Sequence, residues 1–172
     1  MALYIAYNSA LSTTTGIAAG TSYATGAKVA LQLHIPDAGQ IQLVEWGVSF
    51  DGSAAATPAL LEVATTDTAS TMSTAHTTTT VKNLTDPNGS VSRLTFGATT
   101  NTGYGNNAIT SNTTLRMLDR QYIAPTNQYV KMWPLGNYPM VGNAATENYL
   151  QFRINTSATV NAIVYAVWTE LI

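Results

Sequence analysis

The amino-acid sequence predicts an all-β protein: a single antiparallel β-sandwich over residues 1–172, jelly-roll-like, with an extended N-terminal arm and long Thr/Gly-rich loops. Three observations carry that prediction. Apolar and polar residues alternate in short runs, as in "YLQFRIN" (149–155), where Leu150, Phe152 and Ile154 take one face and Gln151 and Arg153 the other. Gly, Pro, Asn and Asp punctuate these runs at short intervals. No segment joins a sustained 3.6-residue apolar period to a preceding cap, so long helices are not expected.

The elements follow in chain order. "ALYIAY" (2–7) reads as an edge strand or the start of an arm reaching residue 26, and "NSALSTTTGIAAGTSYATGA" (8–27) is small, polar and low in complexity. "VALQLHI" (29–35) sends Val29, Leu31, Leu33 and Ile35 one way and Gln32 and His34 the other, until Pro36 ends the strand. "QIQLVEWGVSF" (40–50) and "ALLEVATT" (59–66) are strands joined by a corner of small residues. Trp46, Val48 and Phe50 supply the core face before that corner, and Leu60 or Leu61 resumes it afterwards. "TTDTASTMSTAHTTTT" (65–80) reads as loose, "TDPNGS" (85–90) as a hairpin or bulged turn, and "NTGYGNN" (101–107) as a flexible loop. "TTLRML" (113–118), "QYVKMW" (128–133) and "TVNAIVYAVWTEL" (159–171) are β-branched or aromatic and predict strands. The short connection "NTSA" (155–158) predicts that the last two strands pair as an antiparallel hairpin. Neither an internal repeat nor a linker marks a second domain.

Composition narrows the function classes. A chain of 172 residues can bury roughly 70% of its unfolded surface in one core. Only 9% of its residues are charged, against a typical ~25%, and the net charge is −2. Thr, about one residue in six, and other neutral polar groups take their place. Such a surface lets copies sit close together without strong repulsion. It suits a Thr-rich secreted or cell-surface domain as well as a component of an assembly. Seven basic residues scattered over the chain form no cluster for phosphates, so no nucleic-acid partner is expected. The apolar run "AIVYAVW" (162–168) is far short of the ~20 residues of a membrane helix, so no membrane partner is expected either. The N-terminus lacks the basic region of a signal peptide. Without cysteine there is no disulfide, thiolate metal site or cysteine nucleophile.

Candidate chemistry is sparse. His34 and His76 sit in no metal-ligand spacing and read as solvated or hydrogen-bonded bystanders. "GVSFDG" (47–52) approaches the GxSxG elbow around Ser49 and Asp51, but its second Gly is one place too far. Glu45 and Glu62, on what read as neighbouring strands, are the candidate pair for a glycosidase, whose acids stand ~5–10 Å apart. The plainer reading turns Glu45 to solvent or to an arginine at a sheet edge. "DPNG" (86–89) has half of a calcium loop but not its further oxygen ligands, and reads as a turn. "QYVKMWPLGNYPM" (128–140) interleaves Lys131 with Tyr129, Trp133 and Tyr138, as core filling, a subunit interface or a stacking platform would. No catalytic, cofactor-binding or metal-binding residue is assigned.

Four stretches together, "LVEWGVSFDGSAAATPALLEV" (43–63), "NTGYG" (101–105), "QYIAPTNQYVKMWPLG" (121–136) and "YLQFRINTSATVNAIVYAVWTEL" (149–171), resemble the small capsid-decoration proteins of tailed phages, the actinobacteriophage type in particular. The resemblance implies a virion protein on the outer surface of the capsid, made in the host bacterial cytoplasm. It would clamp neighbouring major capsid protein subunits, form a homotrimer, need no cofactor and catalyse nothing. The residues expected at an oligomer or capsid interface are Ala2, Leu3, Tyr4, Ile5 and Tyr7 of the N-terminal strand, with Tyr104, Trp133 and Tyr138. The alternative is a glycan- or receptor-binding β-sandwich of a phage fibre or tail, in which Tyr104, Trp133 and Tyr138 stack on sugar rings.

Overall fold

The computed structural model describes residues 2–11, 16–52, 57–109, 112–142 and 146–171, and among these the chain forms strands and no helix. In order they are β1 (Leu3–Tyr7), β2 (Thr21–Tyr23), β3 (Gly26–His34), β4 (Gln40–Phe50), β5 (Ala59–Thr66), β6 (Thr74–Ala75) and β7 (Lys82–Asn83). Then come β8 (Gly103–Ala108), β9 (Thr114–Ile123), β10 (Gln128–Met132), β11 (Met140–Gly142), β12 (Tyr149–Thr156) and β13 (Val160–Leu171). They build two antiparallel sheets. A seven-stranded sheet runs β10-β4-β13-β1-β7, with β11 also on β4 and β2 also on β13. A six-stranded sheet runs β6-β8-β3-β12-β5-β9.

The alternation in the sequence places one apolar face of each sheet against the other. Tyr4, Ala6, Trp46, Val48, Val164, Ala166 and Trp168 come from the seven-stranded sheet, and Leu31, Leu33, Leu61, Val63, Leu150, Phe152 and Ile154 from the six-stranded one. Trp46 meets Phe152 across the core with ring centroids 5.8 Å apart. Aromatic side chains bury ~150–250 Å² each, so at ~25 cal/mol per Å² each such ring contributes several kcal/mol of transfer free energy.

Strands β4, β5 and β13 run where the sequence placed them, but several connections differ. β12 and β13 do not form a hairpin: β12 pairs with β3 and β5 in one sheet, β13 with β1 and β4 in the other. The connection is a corner, held by the Ala158 amide donating to Thr156 Oγ1 at 3.0 Å. A three-residue link fits a hairpin or a corner, and only the presence of strands already beside β12 selects the corner. The link between β4 and β5 also passes from one sheet to the other, and its residues Ser53–Ala56 lie outside the described residues.

The N-terminal strand is neither an arm nor an edge. β1 pairs with β13 along its whole length and with β7 at Tyr4 and Ile5. Past β1, Asn8 is buried and donates to the Ala162 carbonyl at 3.0 Å, while β2 pairs with β13 at Val160. The expected loop at 101–107 is largely strand β8. Its glycines serve close approach: a Cβ at Gly103 would lie 2.5 Å from the Thr74 carbonyl oxygen, and one at Gly105 would lie 2.6 Å from the Ser73 nitrogen. Of the expected loose segment 65–80, Thr65 and Thr66 end β5 and Thr74–Ala75 is strand β6, and between them runs a strap on the six-stranded sheet, with Ser70 and Met72 buried and His76 buried beyond it. "TDPNGS" does turn, with the Gly89 amide bonded to the Asp86 carbonyl at 3.0 Å, but it joins no pair of strands.

Candidate assembly surface

The outer face of the seven-stranded sheet is built in rows across its strands. Register aligns Tyr7, Tyr165, Gly47 and Val130 in one row and Ile5, Val167, Glu45 and Met132 in the next. The Tyr165 ring lies over Gly47, and its hydroxyl donates to Glu45 Oε1. Burial, then the hydrogen bond to Glu45 and that carboxylate's charge, push the Tyr165 pKa up. Glu45 is therefore an acceptor on a largely apolar face.

One flank of the molecule carries long strand edges. β9, ten residues long, ends the six-stranded sheet. On the seven-stranded sheet, β10 and β11 both pair with β4 and form one interrupted edge strand. The interruption is closed at its base by the Trp133 amide on the Val44 carbonyl and the Leu43 amide on the Pro139 carbonyl, at 3.1 and 3.0 Å. At its tip the Asn137 amide bonds the Pro134 carbonyl at 3.0 Å, and Gly136 takes a φ of 86°, the geometry of a type II turn. Leu135 stands at that tip, 87% exposed. The opposite flank differs, since its edge strands β6 and β7 have only two residues each, a blunted form of edge.

Polar bonds lock the open flank across the two sheets. Asp119 of β9 accepts from Trp46 Nε1 at 3.0 Å and from the Tyr129 hydroxyl at 2.8 Å, both from the other sheet. Burial, then the bond to Asp119 and its charge, push the Tyr129 pKa up to about 12. Arg116 pairs with Glu147 and donates through Nη2 to the Met140 carbonyl at 2.6 Å. Arg120 pairs with Glu62 at 3.0 Å. Around these bonds the surface is apolar. Of the ten large hydrophobic residues exposed among the described residues, seven belong here: Leu115, Met117, Tyr122, Val130, Met132, Leu135 and Met140.

The residues singled out from the sequence do not share one surface. Leu3, Ile5 and Tyr7 lie on the outer face of the seven-stranded sheet, with Ile5 itself buried, whereas Ala2 packs against the core. Tyr4 is a core residue, stacked on Trp168 at 6.1 Å with its hydroxyl against Ser90. Trp133 and Tyr138 stand on the loop of the open flank, both half-buried, and Lys131 Nζ lies 5.9 Å from the Trp133 ring centroid. Tyr104 belongs to the other sheet and packs on His76, centroids 5.0 Å apart, so the three aromatics form no common stacking platform. The apolar exposure along β9 went unread; its signal is "LRML", where large apolar residues occupy both alternation phases, as a strand with no solvent-only face would have them.

The candidate catalytic residues separate as well. Glu45 and Glu62 stand in different sheets, each on a strand whose core face points at the other, so they are not neighbours across a sugar. His34 stacks on Tyr149 at 4.4 Å and its Nδ1 bonds Asn101 Oδ1 at 3.0 Å. His76 is 1% exposed: Nε2 donates to the Tyr7 carbonyl at 2.9 Å, which leaves Nδ1 to accept from the Thr80 hydroxyl at 3.0 Å. Burial pulls its pKa down, only partly offset by the Tyr7 bond. Asp51, beside Ser49, bonds Asn161 at 2.8 Å. Among the described residues no group of three or more His, Asp or Glu is placed to hold a metal ion.

Gln32, Gln151 and Arg153 do face away from the core, yet all three are buried. Gln32 donates to the Thr100 and Asn101 carbonyls at 3.1 and 2.9 Å and accepts from the Ser70 amide at 2.8 Å. Gln151 donates to Gln32 at 2.9 Å, and Arg153 donates to Gln151 Oε1 and to Thr114. This network pins the straps to the six-stranded sheet. A cavity of about 210 Å³ opens beside Ile35, Ile41, Leu94 and Leu171. The Glu170 carboxylate at its rim is held by Ser92 Oγ, the Arg93 amide and Trp168 Nε1 at 2.6, 2.9 and 3.2 Å.

Compared with protein-family models, curated proteins and solved structures, the chain matches none of them.

Proposed function

We propose that this chain is a structural virion protein that binds the outer surface of a phage head and stabilises it by bridging major capsid protein subunits, without catalysis. The observation that carries the reading is the open flank, where seven exposed large hydrophobics surround two long strand edges on a molecule with few charges. Surfaces of that kind on a monomer mark contact with other proteins. The engagement of Glu45, Glu62, His34 and His76 in structural bonds is in keeping with a mechanical role. The sequence resemblance supplies the capsid as partner and a homotrimer as the form that binds it. A trimer that touches the lattice at three places gains by effective concentration, so each contact can be modest. The repeated passage of the chain from one sheet to the other supports a jelly-roll assignment.

The test is the copy number of this chain in purified particles relative to the major capsid protein. Hundreds of copies in a simple ratio are expected. A handful per particle would point instead to a fibre or tail adhesin, and absence from particles would overturn the reading.

A further inference from the structure

We infer that two copies of this chain associate flank to flank, each presenting β9 and the interrupted β10–β11 strand to the same elements of the other. The inference takes the same flank that carries the capsid reading and gives it a second copy as occupant, which leaves capsid contact to the remaining surface. A strand edge is satisfied by another unpaired edge, and the long free edges among the described residues lie on this one flank. The opposite flank offers the two-residue β6 and β7, and the part of β8 beyond β6 is covered by Ser73 and Thr71, so a head-to-tail contact finds no edge of matching length. Like therefore meets like, and the contact is isologous, across a two-fold axis.

Exposure and charge both fit a second copy. Leu115, Met117, Tyr122, Val130, Met132, Leu135 and Met140 are 42% to 87% exposed, Val130 and Met132 on the outer side of the β10–β4 edge and Met117 and Tyr122 on the outer side of the β9–β5 edge, so they line the flank from both sides. Of the charges along the flank, Arg116 is compensated by Glu147 and Arg120 by Glu62, and Lys131 lies over the Trp133 ring. Two identical flanks thus meet with little like-charge repulsion, and a strongly charged partner finds only a weak opposite field. Leu135, at the tip of its turn, is the most exposed of the seven and is the side chain whose covering the variants below test. A two-fold contact adds an even-numbered association to the three-fold one proposed above.

Sedimentation velocity from micromolar to about 100 µM provides the test. The expected result is a concentration-dependent, even-numbered species for the native chain. The double variant Leu135→Asp/Met132→Asp should weaken that association at least tenfold, and Leu84→Asp on the opposite flank should leave it unchanged. Amide exchange on the unmodified chain gives a second readout, with protection rising with concentration in β9, β10 and 133–140. A monomer throughout the range overturns the inference. So does an oligomer that withstands the double variant, or concentration-dependent protection confined to other segments.

Discussion

The ring of Tyr165 occupies the space above Gly47, where an added Cβ would lie 2.5 Å from Tyr165 Cε1. The glycine is what lets the tyrosine lie flat across β4 and reach Glu45. Gly47→Ala should therefore lift the ring, break that bond and destabilise the fold by ~1–3 kcal/mol, as overpacking does. Urea denaturation in a Tyr165→Ala background supplies the check: there the same substitution should be nearly neutral, and an undiminished penalty would show that the ring is not the cause.

Asp119 joins the sheets through a single carboxylate oxygen shared by Trp46 and Tyr129. Asp119→Ala leaves the buried indole N–H without a partner, and such a loss costs about 1–3 kcal/mol. It also removes two of the causes that hold the Tyr129 pKa near about 12, so that hydroxyl should titrate at lower pH. Denaturation together with a Tyr129→Phe cycle would separate the contributions.

Stability should fall at both ends of the pH scale, for different groups. His76 has a folded-state pKa below its ordinary 6.5, so the unfolded chain binds its proton first. Its contribution is present above pH 6.5 and is lost as the pH falls through the folded-state value. His76→Gln should flatten that acid arm in a plot of urea midpoint against pH. Tyr23, buried and raised to about 12 mainly by desolvation, behaves in the opposite sense. Its contribution is present below pH 10 and is lost as the pH rises through about 12, together with that of Tyr129. Absorbance at alkaline pH should show these phenols ionising only as the structure opens.

Deletion of residues 2–8 should abolish cooperative unfolding. The segment removes a strand paired on both sides, the core residues Tyr4 and Ala6, and the Asn8 bonds to the Val164 amide and the Ala162 carbonyl. A truncated chain that still melts in one sharp transition would return β1 to the status of a dispensable arm.

Much of the architecture was legible in local pattern. The alternation of Leu150, Phe152 and Ile154, and the β-branched and aromatic runs of β4, β5 and β13, identified strands and their inward faces, because a strand's two-residue period is a property of its own backbone. The absence of helix among the described residues followed from the same reading. What local pattern left open was which strand lies beside which. That choice placed Glu45 and Glu62 in different sheets, turned a short link into a corner, buried Gln32 under a strap and Arg153 beside Gln151 and Thr114, and made β1 an interior strand. Each of those outcomes depends on contacts between residues distant in sequence, such as Arg153 with Thr114 or His76 with Tyr7. The open flank has the same origin, since among the described residues exposure of Met132 or Tyr122 follows from their place on edge strands and not from the residues themselves. The sequence by itself determined the strands and their core faces; only the tertiary structure decided the surface, because burial of a strand's edge requires a partner that no local period can specify.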